Sequence, residues 1–381
     1  MTLRNVVALC IALVSAGSAI ARDQILKPEQ TRPWVNQRYI LGLVTNEDGL
    51  DVFWIQRNEL VDPLRARVLR TRLTAEGLLR GPAALIWDHE RSYWNAVHGD
   101  GPFAQALWTD QRDTLLVSPV LERGLQFPEG KFVASFADDP RLVCAGSRCV
   151  ASWETAGERT GVILDSQSNT ISAPFFFPYG GGPMSMTVDE GGIFFVHHRF
   201  GELRAARIGY DEGIRYDVSV AATAPATPIS VAFDGSRHLV AYIERSVEPP
   251  QVHAVVISDA GAVSSPVTLM HANDPRTDLV SIALAWNGTS FLLAGGYNNG
   301  FGIGFVRRFD AELGPLDPLP VNAGVAFRSP QIQVIGTNFA IGWDSAFSGL
   351  EPLITIVSSE GEISQPIGLE AVSRRRGALR P

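Results

Sequence analysis

The sequence predicts an all-β fold of seven four-stranded antiparallel units, on three observations. Short apolar strands rich in Val, Ile, Leu and Phe run through the chain. Glycine-containing turns interrupt them in two interleaved series of seven. Both series repeat every 44 to 53 residues, the length of one four-stranded unit.

The first series is clearest at 231–242, VAFDGSRHLVAY. An apolar strand, a turn holding Gly235 and a second apolar strand end on Tyr242, seven positions after the glycine. The same frame pairs Gly101 with Trp108, Gly146 with Trp153 and Gly336 with Trp343. It ends without an aromatic at Gly191 with His198 and at Gly288 with Gly295, and a looser version, Gly49 with Trp54, opens the series. The second series is clearest at 255–263, VVISDAGAV, around Gly261. Its other turns fall at Gly77, Gly124, Gly213, Gly314 and Gly361, with Asn169 in the place of glycine. Glycine or asparagine there supplies the positive φ that tight turns require.

A four-stranded unit cannot bury both of its faces alone, so consecutive units must stack. Units of this length that close into a ring form a β-propeller. The expectation is therefore a seven-bladed β-propeller over 39–372. The frame of turn glycines and strand-end aromatics resembles the repeats of secreted bacterial propeller proteins. That resemblance spans nearly the whole chain after residues 1–21 and implies a fold, with no chemistry attached. The Ser-x-Asp-x-Gly-x-Thr-Trp box and an Asp-x-Asp-x-Asp-Gly calcium loop are missing from the sequence, and neither a Trp-Asp ending nor a double-glycine kelch signature recurs from unit to unit.

The chain ends are read separately. Residues 1–21 carry one charge, Arg4, before the apolar run VVALCIALVSA, and Ala19-Ile20-Ala21 fits a small-x-small cleavage site. That is the order of a signal peptide, so the expected location is secreted or periplasmic. Residues 22–38 form an N-terminal arm expected to complete the last sheet and close the ring. Residues 373–381 form a tail containing Arg374, Arg375 and Arg376.

Composition narrows the partners. The chain of 381 residues is 45% hydrophobic and 19% charged, as a globular protein is, with a net charge of −8. An acidic body argues against nucleic acid and anionic lipid, and no later stretch is apolar enough to insert in a membrane. The expected partner is an extracellular or envelope protein, a peptide or a glycan. Cys144 and Cys149 face each other across a four-residue turn; they predict a local disulfide, because two cysteines alone cannot fill a zinc site. No cofactor or metal is expected.

If each unit runs from the axis outward, the glycine turns share one rim and the crossovers the other. The crossover rim is longer-looped and more polar, so it is the expected ligand face. It carries Trp87, Asp88, His89, Glu90, Arg91, Asp138, Asp139, His197, His198, Asp274, Arg276, Tyr297, Phe327, Arg328 and Asp344. Trp87 and Tyr297 read as aromatic platforms or as wedges between blades. Asp88, Asp138, Asp139 or Asp274 would serve a carbohydrate-active hydrolase or lyase if two of them converged. His198 occupies the aromatic place of the repeat, which makes it the packed member of the His197-His198 pair. No nucleophile motif is present, and the leading expectation is a binding protein without catalysis.

Overall fold

The computed structural model describes residues 24–25, 37–58, 62–90, 93–99, 103–110, 113–121, 124–125, 130–177, 184–210, 213–222, 228–271, 278–298, 303–325, 327–345 and 352–369. They build an all-β ring of seven blades, each of four antiparallel strands named A to D. Blade 1 runs Gln37–Asn46, Gly49–Asn58, Asp62–Leu73 and Ala84–Glu90. Blade 2 runs Tyr93–His98, Gln105–Thr109, Thr114–Leu121 and Lys131–Ser135. Blade 3 runs Asp138–Ala145, Arg148–Thr155, Glu158–Leu164 and Phe175–Phe176. Blade 4 runs Met184–Asp189, Gly192–Arg199, Glu202–Gly209 and Gly213–Ala222. Blade 5 runs Ile229–Phe233, Arg237–Glu244, Gln251–Ser258 and Val267–His271. Blade 6 runs Asp278–Trp286, Phe291–Asn298, Ile303–Phe309 and Val321–Val325. Blade 7 runs Phe327–Ile335, Asn338–Ser345, Leu353–Val357 and Ile367–Gly368. Neighbouring A strands touch, which puts them on the inside of the ring.

The core is divided. Seven apolar clusters each straddle two consecutive blades, and one of them joins blade 7 to blade 1 through Ile40, Trp54, Ile335, Ile354 and Ile356. B strands carry the largest wedges: Trp54, Trp108, Trp153, Tyr242 and Trp343 are all buried. Trp54, Trp153 and Trp343 stand five residues after Gly49, Arg148 and Asn338, which close their A–B turns. Trp108 follows Gln105 by three and Tyr242 follows His238 by four, and all five pack toward the preceding blade.

Blade 4 corrects one expectation. Its turn closes at Gly192, not Gly191, so the wedge position falls on His197, which is buried, while His198 is half-exposed. The sequence shows two glycines there and does not say which adopts positive φ; Gly192 does, at 149°. In blade 6 the wedge position is Gly295. The Phe305 ring fills the space, its Cζ 2.3 Å from where a Cβ on residue 295 would stand.

The C–D turns repeat one backbone pattern in five blades. The N–H of the first turn residue donates to the carbonyl four residues on, and the fourth residue's N–H donates back, as in Ser258–Ala262 and Ser358–Glu362. The fourth residue takes positive φ: Gly77, Gly261 and Gly361, but also Ser168 and Leu313. Asn169 and Gly314, expected to hold that role, each lie one place late. Their turns begin at Asp165 and Asp310, whose carboxylates cap the loop amides and fix the count.

The ring closes without a shared strand. Blade 7 draws all four strands from 327–368, so its sheet has no vacancy for the arm. Gln24–Ile25 instead pairs antiparallel with Ala84 and Leu85, at the outer edge of blade 1. The predicted arm therefore extends the first sheet rather than completing the last. Across the seam, Asp344 Oδ1 accepts from the Ile40 N–H, and Gln331 Nε2 donates to the Ile40 carbonyl at 3.0 Å. The signal-peptide residues 1–21 and the tail 373–381 lie outside the described residues.

Candidate functional site

Strand direction assigns the two rims. A–B and C–D turns lie on one, and B–C loops with D–A crossovers on the other. Of the expected site residues, Asp138, Asp139, Arg328, Tyr297 and Asp344 stand at the crossover ends of their strands. Asp88 and His89 close the outer strand of blade 1, opposite Arg67 and Ala66 in register. Nothing is described of the side chains of Asp88, His89 and Arg328, and Arg91, Asp274 and Arg276 lie outside the described residues.

The described crossover-rim groups are engaged in the fold. Asp139 accepts from Arg141 at 2.9 Å and from the buried Arg159, whose guanidinium also reaches Glu154 at 2.7 Å. Asp138 Oδ1 accepts the N–H of Asp139 at 2.9 Å. Trp87 packs half-buried against the cluster between blades 1 and 2. Tyr297 lies 4.8 Å from the Phe305 ring, and burial pushes its phenol up to about 12. These two aromatics are wedges. His197 lies in the wall between blades 3 and 4, 5.5 Å from the Phe195 ring, and burial lowers its imidazole below the ordinary range. Among the described residues no group of three His, Cys, Asp or Glu lies close enough to hold a metal.

A groove of about 990 Å³ opens on the other rim, over blades 3, 4 and 5. Its walls are three A–B turns: Ala145–Arg148, Val188–Gly191 and Phe233–Ser236, with Arg207, Arg215 and Asp259 completing the lining. Each turn is held. The disulfide Cys144–Cys149 encloses 145–148, its cysteines directly opposed in the A–B register with Cα atoms 4.0 Å apart. Asp189 Oδ1 accepts from the N–H groups of Gly191 and Gly192 at 2.7 and 3.1 Å. Asp234 Oδ1 accepts from those of Ser236 and Arg237 at 2.8 and 2.7 Å.

The floor is a buried ion cluster. Arg207 donates to both carboxylate oxygens of Asp189, at 2.9 and 2.6 Å, and its Nη2 also lies 3.3 Å from the exposed Asp259. His238 Nε2 stands 3.2 Å from Asp189 Oδ2, while its ring stacks on Phe194 at 3.9 Å. Tyr210 donates to the Asp189 carbonyl at 2.8 Å, and the Arg148 guanidinium covers the Tyr210 ring at 4.3 Å. Burial alone would raise the Asp189 carboxyl. The contacts with His238 and Arg207 and the Arg207 charge outweigh it and hold the group at about 2. Burial pushes Tyr216, which flanks the cluster, up to about 12.

Sequence reasoning did not single out this groove. Its traces were present: Arg207 interrupts the apolar run LRAARIG, and His238 interrupts VAFDGSRHLVAY. A polar residue at a buried strand position needs a partner, and here the partner is Asp189.

No family model matches the chain, and no curated protein matches it. Solved structures do. A prolyl endopeptidase superposes with a TM-score of 0.52 at 13% identity, covering 94% of this chain and 53% of that one. Prolyl oligopeptidase B from Galerina marginata gives 0.53 at 12% identity, covering 95% and 54%. The chain thus spans about half the length of those peptidases. The β-propeller domain of the Trilobed protease from Pyrococcus furiosus, described as having an open velcro topology, gives 0.51 at 10% identity, covering 87% and 96%. At these identities the likeness is one of fold.

Proposed function

We propose that the protein is a non-enzymatic binding or interaction protein working outside the cytoplasm, with the turn-rim groove as its ligand site. The observation that carries this reading is the groove itself: a cleft of mixed polar and apolar lining with walls pinned by a disulfide and two carboxylate-capped turns. Preorganised walls lose little freedom when a ligand enters, which is where a rigid scaffold gains affinity. The disulfide and the predicted signal peptide support an oxidising compartment, secreted or periplasmic. The ligand classes are a peptide, a glycan or an exposed segment of an envelope protein. The crossover rim, with Asp88, His89, Arg91, Asp274, Arg276 and Arg328, is a second candidate face.

The competing reading is a hydrolase, favoured by the fold likeness to peptidases. Against it, Asp139 is held by two arginines and Asp344 by the blade seam, which leaves neither disposed as an acid–base pair. A thermal-shift screen of the full chain against oligosaccharides, peptides and divalent cations tests the proposal. A ligand at a hundred times its Kd adds about 2.7 kcal/mol of stability. The shift should vanish in Arg148→Glu; a shift that survives there moves the site elsewhere.

A further inference from the structure

This inference rests on the groove being a ligand site and names what it takes. We infer that the turn-rim groove of blades 3 to 5 binds a peptide segment carrying both acidic and basic side chains.

Three arginines and three carboxylates line the groove: Arg148, Arg207 and Arg215 against Asp189, Glu190 and Asp259. Arg207 and Asp189 satisfy each other on the floor and are almost wholly buried. The exposed wall groups come from separate elements. Arg148 belongs to blade 3, Glu190 to the blade 4 turn, Arg215 to the outer strand of blade 4, and Asp259 to the blade 5 C–D turn. The lining therefore offers charges of both signs, each from a different turn or strand.

That pattern discriminates among ligands. A polyanion such as an acidic glycan would bring its charge against Glu190 and Asp259, and a polycation would meet Arg148 and Arg215. A neutral oligosaccharide would cover the exposed Arg148 and Glu190 without offering a counter-charge to either, which is costly. A peptide with an acid and a base at suitable spacing answers both sets through charge-assisted hydrogen bonds. Half-buried Phe233, with Val188 and Ala145, supplies apolar wall for its backbone and side-chain stems. Two wall turns have a glycine beside a serine at their tips. A Cβ at Gly146 or Gly235 would meet nothing within 4 Å, so an extended backbone can approach there.

The test is selection of a display library of random twelve-residue peptides on the full chain, then on Arg148→Glu. Arg148 is exposed at a turn, so the variant should keep its melting temperature, which is checked first. Enriched peptides should carry both signs at a fixed spacing. The best of them should bind Arg148→Glu at least ten-fold more weakly and recover when its acidic residue is changed to lysine. Enriched peptides of one sign or none, or ones that bind the variant equally, overturn the inference. An oligosaccharide whose thermal shift depends on Arg148 would leave the groove a ligand site and remove the peptide. No probe of any kind depending on Arg148 removes both.

Discussion

Asp344 Oδ1 accepts a 2.7 Å hydrogen bond from the backbone N–H of Ile40, joining residues 304 positions apart where blade 7 meets blade 1. Burial raises the Asp344 carboxyl from 3.8 to about 7, and the Ile40 bond offsets only part of that rise. The folded protein thus holds this proton more tightly than the unfolded chain. Its contribution is fully present below pH 4 and lost as pH rises through 7. Asp344→Asn keeps the acceptor and removes the charge. At pH 8 it should be more stable than the parent, by an amount below roughly 4 kcal/mol, with the gain gone at pH 4. Urea midpoints at both pH values measure this.

Asp189 has the opposite sign. Its carboxyl lies at about 2 in the fold, below the ordinary 3.8, so it stabilises above pH 4 and that share is lost as pH falls toward 2. Asp189→Ala strands Arg207, His238 and two turn amides, and should cost about 3 to 5 kcal/mol. Asp259→Ala, at the exposed end of the same cluster, should cost under about 1 kcal/mol. Equal losses in denaturant titrations would mean that the cluster is not held mainly by Asp189.

Replacing Cys144 and Cys149 together by serine should lower stability by about 2 kcal/mol, because a short loop restricts the unfolded chain only modestly. The larger effect should fall on the groove. Amide hydrogen exchange at 145–148 should speed up, while exchange in blade 7 should not change.

The C–D turns give a paired prediction. Ser168 holds φ at 60° with a buried hydroxyl, so Ser168→Gly should stabilise by roughly 0.5 to 1 kcal/mol. Gly261→Ala should destabilise by more than that, since φ is 83° and a Cβ would stand 2.9 Å from the Tyr216 ring. Melting curves of the two variants should move in opposite directions.

Much of this architecture was legible because turns and strands are local. The frames at Gly235 and Gly261 needed only glycine at positive φ and apolar flanks. The misreading at His198 came from Gly191-Gly192, where either glycine satisfies the pattern and one step of register exchanges the two faces of the strand. Ring closure was illegible for another reason: the last strand, Ile367–Gly368, is two residues long and carries no periodicity. The groove was hidden because its lining comes from turns about 45 residues apart that meet only once the blades stack.

The seam carries a consequence for how the chain can be rewired. Because no strand is shared, blade 7 meets blade 1 through the same kind of side-chain interface that separates any other two blades. D–A crossovers elsewhere span from one residue, Val325 to Phe327, to seven, Phe176 to Met184. A linker in that range from Gly368 to Gln37 would give up the Gln24–Ile25 pairing with Ala84 and Leu85 and leave the blade-to-blade interfaces intact. A new terminus could then be cut in any other crossover. The ring is in this sense indifferent to where translation starts, and a circular permutant should fold to the same seven blades.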